Sequence, residues 1–260
     1  GPSLSISAGP SLANANSAST VTYTLTYVGA TTISLVPANI TLNATGGATC
    51  TVGVTALLPN STVTLTNCTG NGTVGISVAA STAADALLNQ ANAAGPSATF
   101  NVDNTAPTLS ISAGPSLANA NGASSVTYTL TYGGATATSL IPGNISLSTT
   151  GSANCIIGVS AAIPTSTVTL TGCSGDGTVG ISVVANTASD AAGNQAPAAG
   201  PSATFVVDNT LPAVTCAAPA GNAQGFGWYQ SSDLPLDLST AMTCADGAGS
   251  GCNAPSKLCA

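Results

Sequence analysis

Apolar and polar residues alternate with a period of two in short runs along the chain. In the run VTYTLTY, Val21, Tyr23, Leu25 and Tyr27 fall on one face, and threonines fall on the other. Because successive side chains of a strand point to opposite sides, this pattern predicts a β-strand with one buried face. Similar runs lie at 4–8, 39–44, 50–54, 61–67, 72–80 and 97–103.

The whole pattern is repeated once without insertion or deletion. LSISAGPSLANAN occurs at 4–16 and 109–121, VTYTLTY at 21–27 and 126–132, GTVGIS at 72–77 and 177–182, and AGPSATF at 94–100 and 199–205. The constant offset has the size of a whole β-sandwich domain, because about seven strands in about 100 residues are typical of immunoglobulin-like domains. The sequence therefore predicts an all-β protein with immunoglobulin-like sandwiches at 1–105 and 106–210, followed by a different segment at 211–260. The run at 82–94 could hold one turn of helix.

The cysteines of each repeat lie symmetrically about a proline, with Cys50 and Cys68 around Pro59 and Cys155 and Cys173 around Pro164. A hairpin turning at the proline would bring the two cysteines opposite each other, within disulfide reach if they share a face. Cys68 has the opposite parity to the buried-face residues before it, so a bulge or twist is needed for the pairing. The alternative is a pair of buried free thiols. Disulfides would place the protein in an oxidising, extracellular setting.

Composition excludes several functions for this chain of 260 residues. It has 8 acidic residues, all Asp, one basic residue, Lys257, and no His. Without a basic patch, nucleic-acid binding lacks its electrostatic footprint. Catalytic triads and zinc sites that use His cannot be built, which argues against an enzyme. No run of about 20 apolar residues predicts a membrane span.

The string TFNVDNTAPT at 99–108 returns as TFVVDNTLPA at 204–213, and each copy ends a repeat. Proline fixes its own φ and favours an extended residue before it. The strings therefore predict stiff interdomain joints, formed by Asp103, Asn104, Thr105 and Pro107 and by Asp208, Asn209, Thr210 and Pro212. A stiff first joint would make the two domains a rod.

The stretch at 175–212 resembles the bacterial immunoglobulin-like repeats of large secreted and surface-anchored proteins. The shared features are a Gly-rich turn, an Asp-x-x-Gly-Asn loop, DAAGN at 190–194, and a closing strand ending in Val-Asp-x-Thr-x-Pro. The resemblance covers both repeats and implies a stalk, spacer or adhesive role. The first repeat departs from it, because DALLN at 85–89 has Leu87 and Leu88 in the loop. These leucines could pack on a neighbour.

The segment FGWYQSSDLPLDLSTAMTCADGAGSGC at 226–252 resembles a second kind of bacterial immunoglobulin-like repeat, of which only part is present here. Its four cysteines, Cys216, Cys244, Cys252 and Cys259, could join in disulfides with three alternative connectivities. Trp228 is either part of a core or an exposed surface for stacking on a sugar ring.

Among the candidate ligands, calcium is the most specific hypothesis, because the ion takes six to eight oxygen ligands, several from carboxylates. The proposed ligands are Asp103, Asp190, Asn194 and Asp208. The alternative is that Asp190 and Asn194 brace a tight loop through hydrogen bonds to the backbone. No cofactor is required by the sequence.

These observations predict an extracellular structural protein, the subunit of a bacterial surface filament or adhesin stalk. Low charge removes self-repulsion, and unpaired strand edges in the C-terminal segment favour self-association. Two alternatives are an adhesin module that binds a carbohydrate or cell-surface ligand, and a non-catalytic spacer of a large secreted enzyme.

Overall fold

The computed structural model describes residues 1–216 and 242–245, with side chains as far as Ala213. The hypotheses for Trp228, Cys252 and Cys259 fall outside these residues. Within the described ranges, no helix is long and apolar enough to cross a membrane.

Ten strands and one 3-10 turn, Pro37–Asn39, build the first domain. The strands are β1 Ser3–Ala8, β2 Asn14–Ala15, β3 Val21–Val28, β4 Thr32–Ile33, β5 Ile40–Ala44, β6 Thr49–Thr55, β7 Asn60–Thr69, β8 Gly72–Val78, β9 Ala83–Ala84 and β10 Phe100–Val102.

The strand order identifies the fold. One sheet has the order β1-β3-β7-β6 and the other β2-β10-β8-β5, with the short β2 parallel to β10. When the seven main strands are lettered A to G along the chain, these are an ABED sheet and a sheet with C, F and G. Both domains are immunoglobulin-like β-sandwiches.

The second domain repeats the first, including the 3-10 turn, Pro142–Asn144. Its strands are β11 Thr108–Ala113, β12 Asn119–Ala120, β13 Val126–Gly133, β14 Ala137–Thr138, β15 Ile145–Thr149, β16 Asn154–Ser160, β17 Thr165–Ser174, β18 Gly177–Val183, β19 Ala188–Ser189 and β20 Phe205–Val207. The sheet orders are β11-β13-β17-β16 and β12-β20-β18-β15.

The core lies between the two sheets, where the alternating residues of the sequence pattern meet. Val21, Tyr23, Leu25 and Tyr27 of β3 are all buried, as predicted. The buried tyrosine hydroxyls find polar partners, since Tyr23 Oη donates to a backbone carbonyl at 2.9 Å and Tyr27 Oη lies 2.8 Å from a threonine hydroxyl. These large aromatic side chains are therefore buried without leaving their hydroxyl groups unpaired.

The disulfides Cys50–Cys68 and Cys155–Cys173 are present, as predicted. A β-bulge in β7 brings Cys68 to the inner face of the sheet. The β6–β7 register shifts between Thr49 and Thr51, which leaves one extra residue in β7. Asn67 in this bulge has a φ of 49°, and Cys68 turns inward. Closing a loop of this length stabilises the fold by about 3 kcal/mol in the chain-entropy model.

The run at 82–94 contains no helical turn. Its first residues form β9, which pairs with β4, and Ala84 then bridges to Gln90 across a tight loop. The helical interpretation is wrong because buried alanines here pair in a ladder, and the Asp85 side chain closes the loop.

Beyond the second domain, β21 Ala213–Cys216 pairs antiparallel with β22 Met242–Ala245. Cys216 lies opposite Met242, and Cys244 lies opposite Val214. Disulfides among the C-terminal cysteines stay a prediction, because they depend on side chains outside the described set.

Candidate functional site: the joint between the domains

The chain leaves each sandwich through a short polar linker. The first linker comprises residues 103–107 and the second comprises residues 208–212. In each linker, the first residue is an Asp whose Oδ1 accepts a hydrogen bond from the backbone N–H two residues later. Thr105 donates to Asp103 and Thr210 donates to Asp208, both at 2.9 Å. The aspartates therefore fix the linkers as side-chain-closed turns.

Asn104 ties the first linker back to its own domain. Its Oδ1 accepts from the N–H of Ser17 at 2.8 Å, and its Nδ2 donates to the carbonyl of Gly70 at 2.8 Å. A longer contact of 3.3 Å reaches the carbonyl of Cys68, the disulfide residue. The linker is thereby attached to the bulged end of β7.

Asn71 braces the same linker from the β7–β8 turn. Its Oδ1 accepts from the N–H of Asn104 at 2.8 Å, and its Nδ2 donates to Thr105 Oγ1 at 2.7 Å. Pro107, which ends the linker, is buried. Every residue from Asp103 to Thr105 is thus held by a side-chain hydrogen bond.

The second linker has the same brace with a carboxylate in place of the amide. Asn209 donates its N–H to Asp176 Oδ1 at 2.7 Å, and Thr210 donates its hydroxyl to Asp176 Oδ2 at 2.7 Å. These hydrogen bonds, the one from Asn209 first, hold the pKa of Asp176 below its usual value of 3.8. Neither Asn71 nor Asp176 was predicted as a brace from the sequence.

A loop of the second domain reaches across the domain boundary. We call residues 190–194, and their counterparts 85–89, the pole loops. Asp190 Oδ1 accepts the N–H groups of Ala192 and Asn194, each at 2.9 Å, and its Oδ2 accepts from Asn194 Nδ2 at 2.8 Å. The loop is therefore preorganised by its own carboxylate before it meets the first domain.

Asn194 makes the contact between the domains. Its Nδ2 donates to the backbone carbonyl of Asp103 at 2.8 Å, with the carbonyl of Thr105 at 3.5 Å. The Gly193 backbone lies beside Asn16 of the first domain, since a Cβ added to Gly193 would be 3.5 Å from Asn16 Nδ2. The first linker is consequently held by side chains of both sandwiches.

The four proposed calcium ligands do not all share one place. Asp103, Asp190 and Asn194 meet at this joint, but Asn194 presents its amide nitrogen to the Asp103 carbonyl. Asp208 belongs to the second linker, where it is buried. No group of three or more His, Cys, Asp or Glu side chains converges within the described ranges. The alternative interpretation, a hydrogen-bonded loop, describes these contacts, and calcium stays a prediction.

The pole loop of the first domain has the same internal bonds. Asp85 Oδ1 accepts the N–H groups of Leu87 at 2.9 Å and Asn89 at 3.0 Å, and its Oδ2 accepts from Asn89 Nδ2 at 2.9 Å. The side-chain bond from Asn89 is the first cause that lowers the pKa of Asp85. The loop conformation is thus set by an Asp and an Asn four positions apart. It forms here without the Gly of the Asp-x-x-Gly-Asn pattern.

Comparisons with known proteins give structural neighbours only. No family model and no curated protein sequence matches the chain. An adhesin of Escherichia coli, FdeC, is 18% identical, with 83% of this chain and 67% of that chain covered and a TM-score of 0.34. Invasin, described as a bacterial integrin-binding protein, is 16% identical, with 83% and 41% covered and a TM-score of 0.35.

Fibronectin(III)-like modules of Clostridium thermocellum CbhA are 12% identical, with 78% of this chain and 92% of that chain covered and a TM-score of 0.30. The neighbours are thus bacterial adhesins and immunoglobulin- or fibronectin-like domains. Strand order and register define the fold of each domain. This chain spans less than half of the invasin chain.

Proposed function

We propose that this chain is an extracellular, non-catalytic structural protein, a stiff section of a bacterial surface filament or adhesin stalk. The observation that supports this proposal most is the joint, where Asn194 of the second domain donates to the backbone carbonyl of Asp103 at 2.8 Å. A stalk must hold its domains at a fixed angle, and relative motion is the default for domains joined by a plain linker.

The stiffness follows from the number of independent constraints on a short segment. Asn104 and Asn71 fix the linker to the first sandwich, Asp103 closes the turn within it, and Asn194 fixes it to the second sandwich. Each hydrogen bond contributes about 0.5–1.5 kcal/mol. Loss of a contact to the first sandwich would loosen the joint, whereas loss of the bonds from Asn194, the side chain that spans the boundary, would release the domains.

The disulfides support an extracellular location. The first domain closes one between β6 and β7, and the second domain closes one between β16 and β17. Such bonds persist in oxidising compartments. The chain contains no His, Glu or Arg, which supports a structural role over general acid–base catalysis.

The joint can be tested by nitrogen-15 relaxation of the intact chain in the variant Asn194→Ala. Both domains of the unmodified chain should tumble with one rotational correlation time. In the variant, the two domains should tumble separately, each with a shorter correlation time, because the hydrogen bond that spans the boundary is lost.

Asn89→Ala is the matched control. Asn89 makes the same bond to the aspartate of its own pole loop but none to a neighbouring domain within the described residues. It should leave the common correlation time unchanged. Equal loosening in both variants, or independent domains in the unmodified chain, would overturn the proposal.

A further inference from the structure

The brace of the first linker contains one of the two Asn–Gly dipeptides of the chain. Asn71 is followed by Gly72, and Asp176 stands at the matching position of the second repeat. Asn–Gly is chemically labile, because a glycine without a side chain lets its backbone nitrogen approach the carbonyl carbon of the Asn side chain. Asn71 is also exposed to water. The first domain therefore carries a reactive amide where the second domain carries a carboxylate.

The second linker shows how a carboxylate behaves at this position. Both oxygens of Asp176 accept hydrogen bonds from that linker, each at 2.7 Å. Asn71 holds the matching groups of the first linker, with its Oδ1 accepting from the Asn104 N–H at 2.8 Å and its Nδ2 donating to Thr105 Oγ1 at 2.7 Å. Only the Thr105 hydroxyl would have to turn from acceptor to donor. A carboxylate at position 71 therefore fits the brace with the same heavy-atom partners.

The closed joint keeps the two reacting groups of this dipeptide apart. A ring can form only when the Gly72 nitrogen reaches Asn71 Cγ. The Asn71 amide is bonded to the linker, and Gly72 pairs with Val102 at the end of the β8–β10 ladder. Because Val102 directly precedes the first linker, an opening of the linker that extends to Val102 frees both groups. The rate of reaction should therefore follow how often the joint opens locally.

We propose that Asn71 is a deamidation site, at which opening of the first linker allows the amide brace to become a carboxylate brace like that of Asp176. The Gly72 nitrogen attacks Asn71 Cγ and loses its proton, and Nδ2 leaves as ammonia, which closes a succinimide ring. Water then opens the ring at Cγ and restores the original peptide nitrogen. In the balance, one amide and one water become one carboxylic acid, which ionises, and one ammonia. The step requires no co-reactant besides water.

The surroundings of Gly72 distinguish the two products of ring opening. Attack of water at the main-chain carbonyl instead gives isoaspartate, in which the backbone runs through the side chain and is one methylene longer. Gly72 has no room for this change, because even a Cβ added there would collide with the carbonyl oxygen of Thr45. Isoaspartate should therefore break the brace, and aspartate should keep it.

Ageing of the intact chain at mildly alkaline pH, followed by peptide mapping with mass spectrometry, tests the proposal. A protease other than trypsin is needed, since Lys257 is the one basic residue. Aspartate should accumulate at position 71 of the folded chain, and more slowly than in the chain unfolded in urea. Asn194→Ala, which releases the Asp103 carbonyl, should raise the rate about two- to tenfold, the factor expected for one lost hydrogen bond that opposes opening.

Asn209→Ala is the matched control, because it releases the second linker instead of the first. It should leave the rate at Asn71 unchanged. Asn71→Asp supplies the aspartate form without ageing and should keep common tumbling of the two domains. It should also give the first domain the acid response of Asp176, whose hydrogen bonds hold its pKa low, so that their stabilisation is lost as pH falls.

Three results would overturn the proposal. One is an unmodified Asn71 in the folded chain after the unfolded chain has converted, and another is an equal rate in the folded and unfolded chains. The third is loss of common tumbling in Asn71→Asp, because the carboxylate would then not fit the brace. The modification goes beyond the stalk role and is read from peptide masses, so it is tested separately from common tumbling of the unmodified chain.

Discussion

The pole loops of the two domains have the same internal hydrogen bonds but carry different side chains on their surfaces. In both, an Asp accepts two backbone N–H groups and the Asn four positions later. The loop of the second domain carries Ala192 and Gly193 and lies against a neighbouring domain, and the loop of the first carries Leu87 and Leu88 in the open. The Asp–Asn pair therefore sets the loop conformation, and the residues between the Asp and the Asn determine what the loop can contact.

The largest effect is expected from exchanging the residues of the loops. Ala192→Leu with Gly193→Leu should open the joint at a cost of about 1–3 kcal/mol, since Ala192 is buried and Gly193 has a φ of 89° that disfavours leucine. Relaxation should then show two independently tumbling domains. The reverse exchange, Leu87→Ala with Leu88→Gly, should keep common tumbling, and a joint that tolerates the added leucines would show that the loop is not closely packed.

A second test compares the Asn residues of the two linkers. Asn104→Ala and Asn209→Ala each remove the side-chain hydrogen bonds of one linker Asn but keep the brace from Asn71 or Asp176, so each should destabilise that domain by about 1–2 kcal/mol in thermal unfolding. Only Asn104→Ala should also loosen the coupling of the two domains, because Asn194 binds the first linker. Uncoupling by Asn209→Ala would contradict the assignment of the first linker as the joint.

The bulge before the disulfide gives a smaller effect. Asn67 has a φ of 49°, and its counterpart Gly172 has a φ of 55°. Asn67→Gly should therefore change stability little, and Asn67→Val should cost about 1 kcal/mol or slightly more, because a β-branched residue is disfavoured there. Chemical denaturation with the disulfide intact measures both, and equal effects would argue against a left-handed residue at the bulge.

The smallest effect concerns pH and distinguishes the two braces. The folded-state pKa of Asp176 is lowered by its hydrogen bonds, so its contribution to stability is present above the ordinary value of 3.8 and is lost as pH falls through the folded pKa. The first domain has Asn71 there, which does not titrate. Acid titration of unfolding temperatures should show this loss in the second domain, and Asp176→Asn should remove it, whereas the acid response that the lowered pKa of Asp85 gives the first domain should stay unchanged. An unchanged acid response in that variant would contradict this brace.

Local patterns predicted the fold well because strands and core faces are local features. The alternation in β3 predicted its buried face, and the odd parity of Cys68 indicated a bulge or a twist, of which the structure shows a bulge in β7. The contacts of the joint were not predictable in the same way, since Asn194 and Asp103 are 91 residues apart. The repeated Asp and Asn of the pole loops are visible in the sequence, but the pattern does not decide between Asn194 as an oxygen ligand for calcium and Asn194 as an amide donor.

We infer that Asn194 and the first linker couple two immunoglobulin-like domains into one stiff unit. Residual dipolar couplings of the intact, weakly aligned chain, at a concentration where it is monomeric, measure the relative orientation of the two domains. We expect the couplings of residues 3–102 and 108–207 to fit a single alignment tensor on the structure described above. Two tensors of different magnitude would show that the domains move independently and would contradict the account.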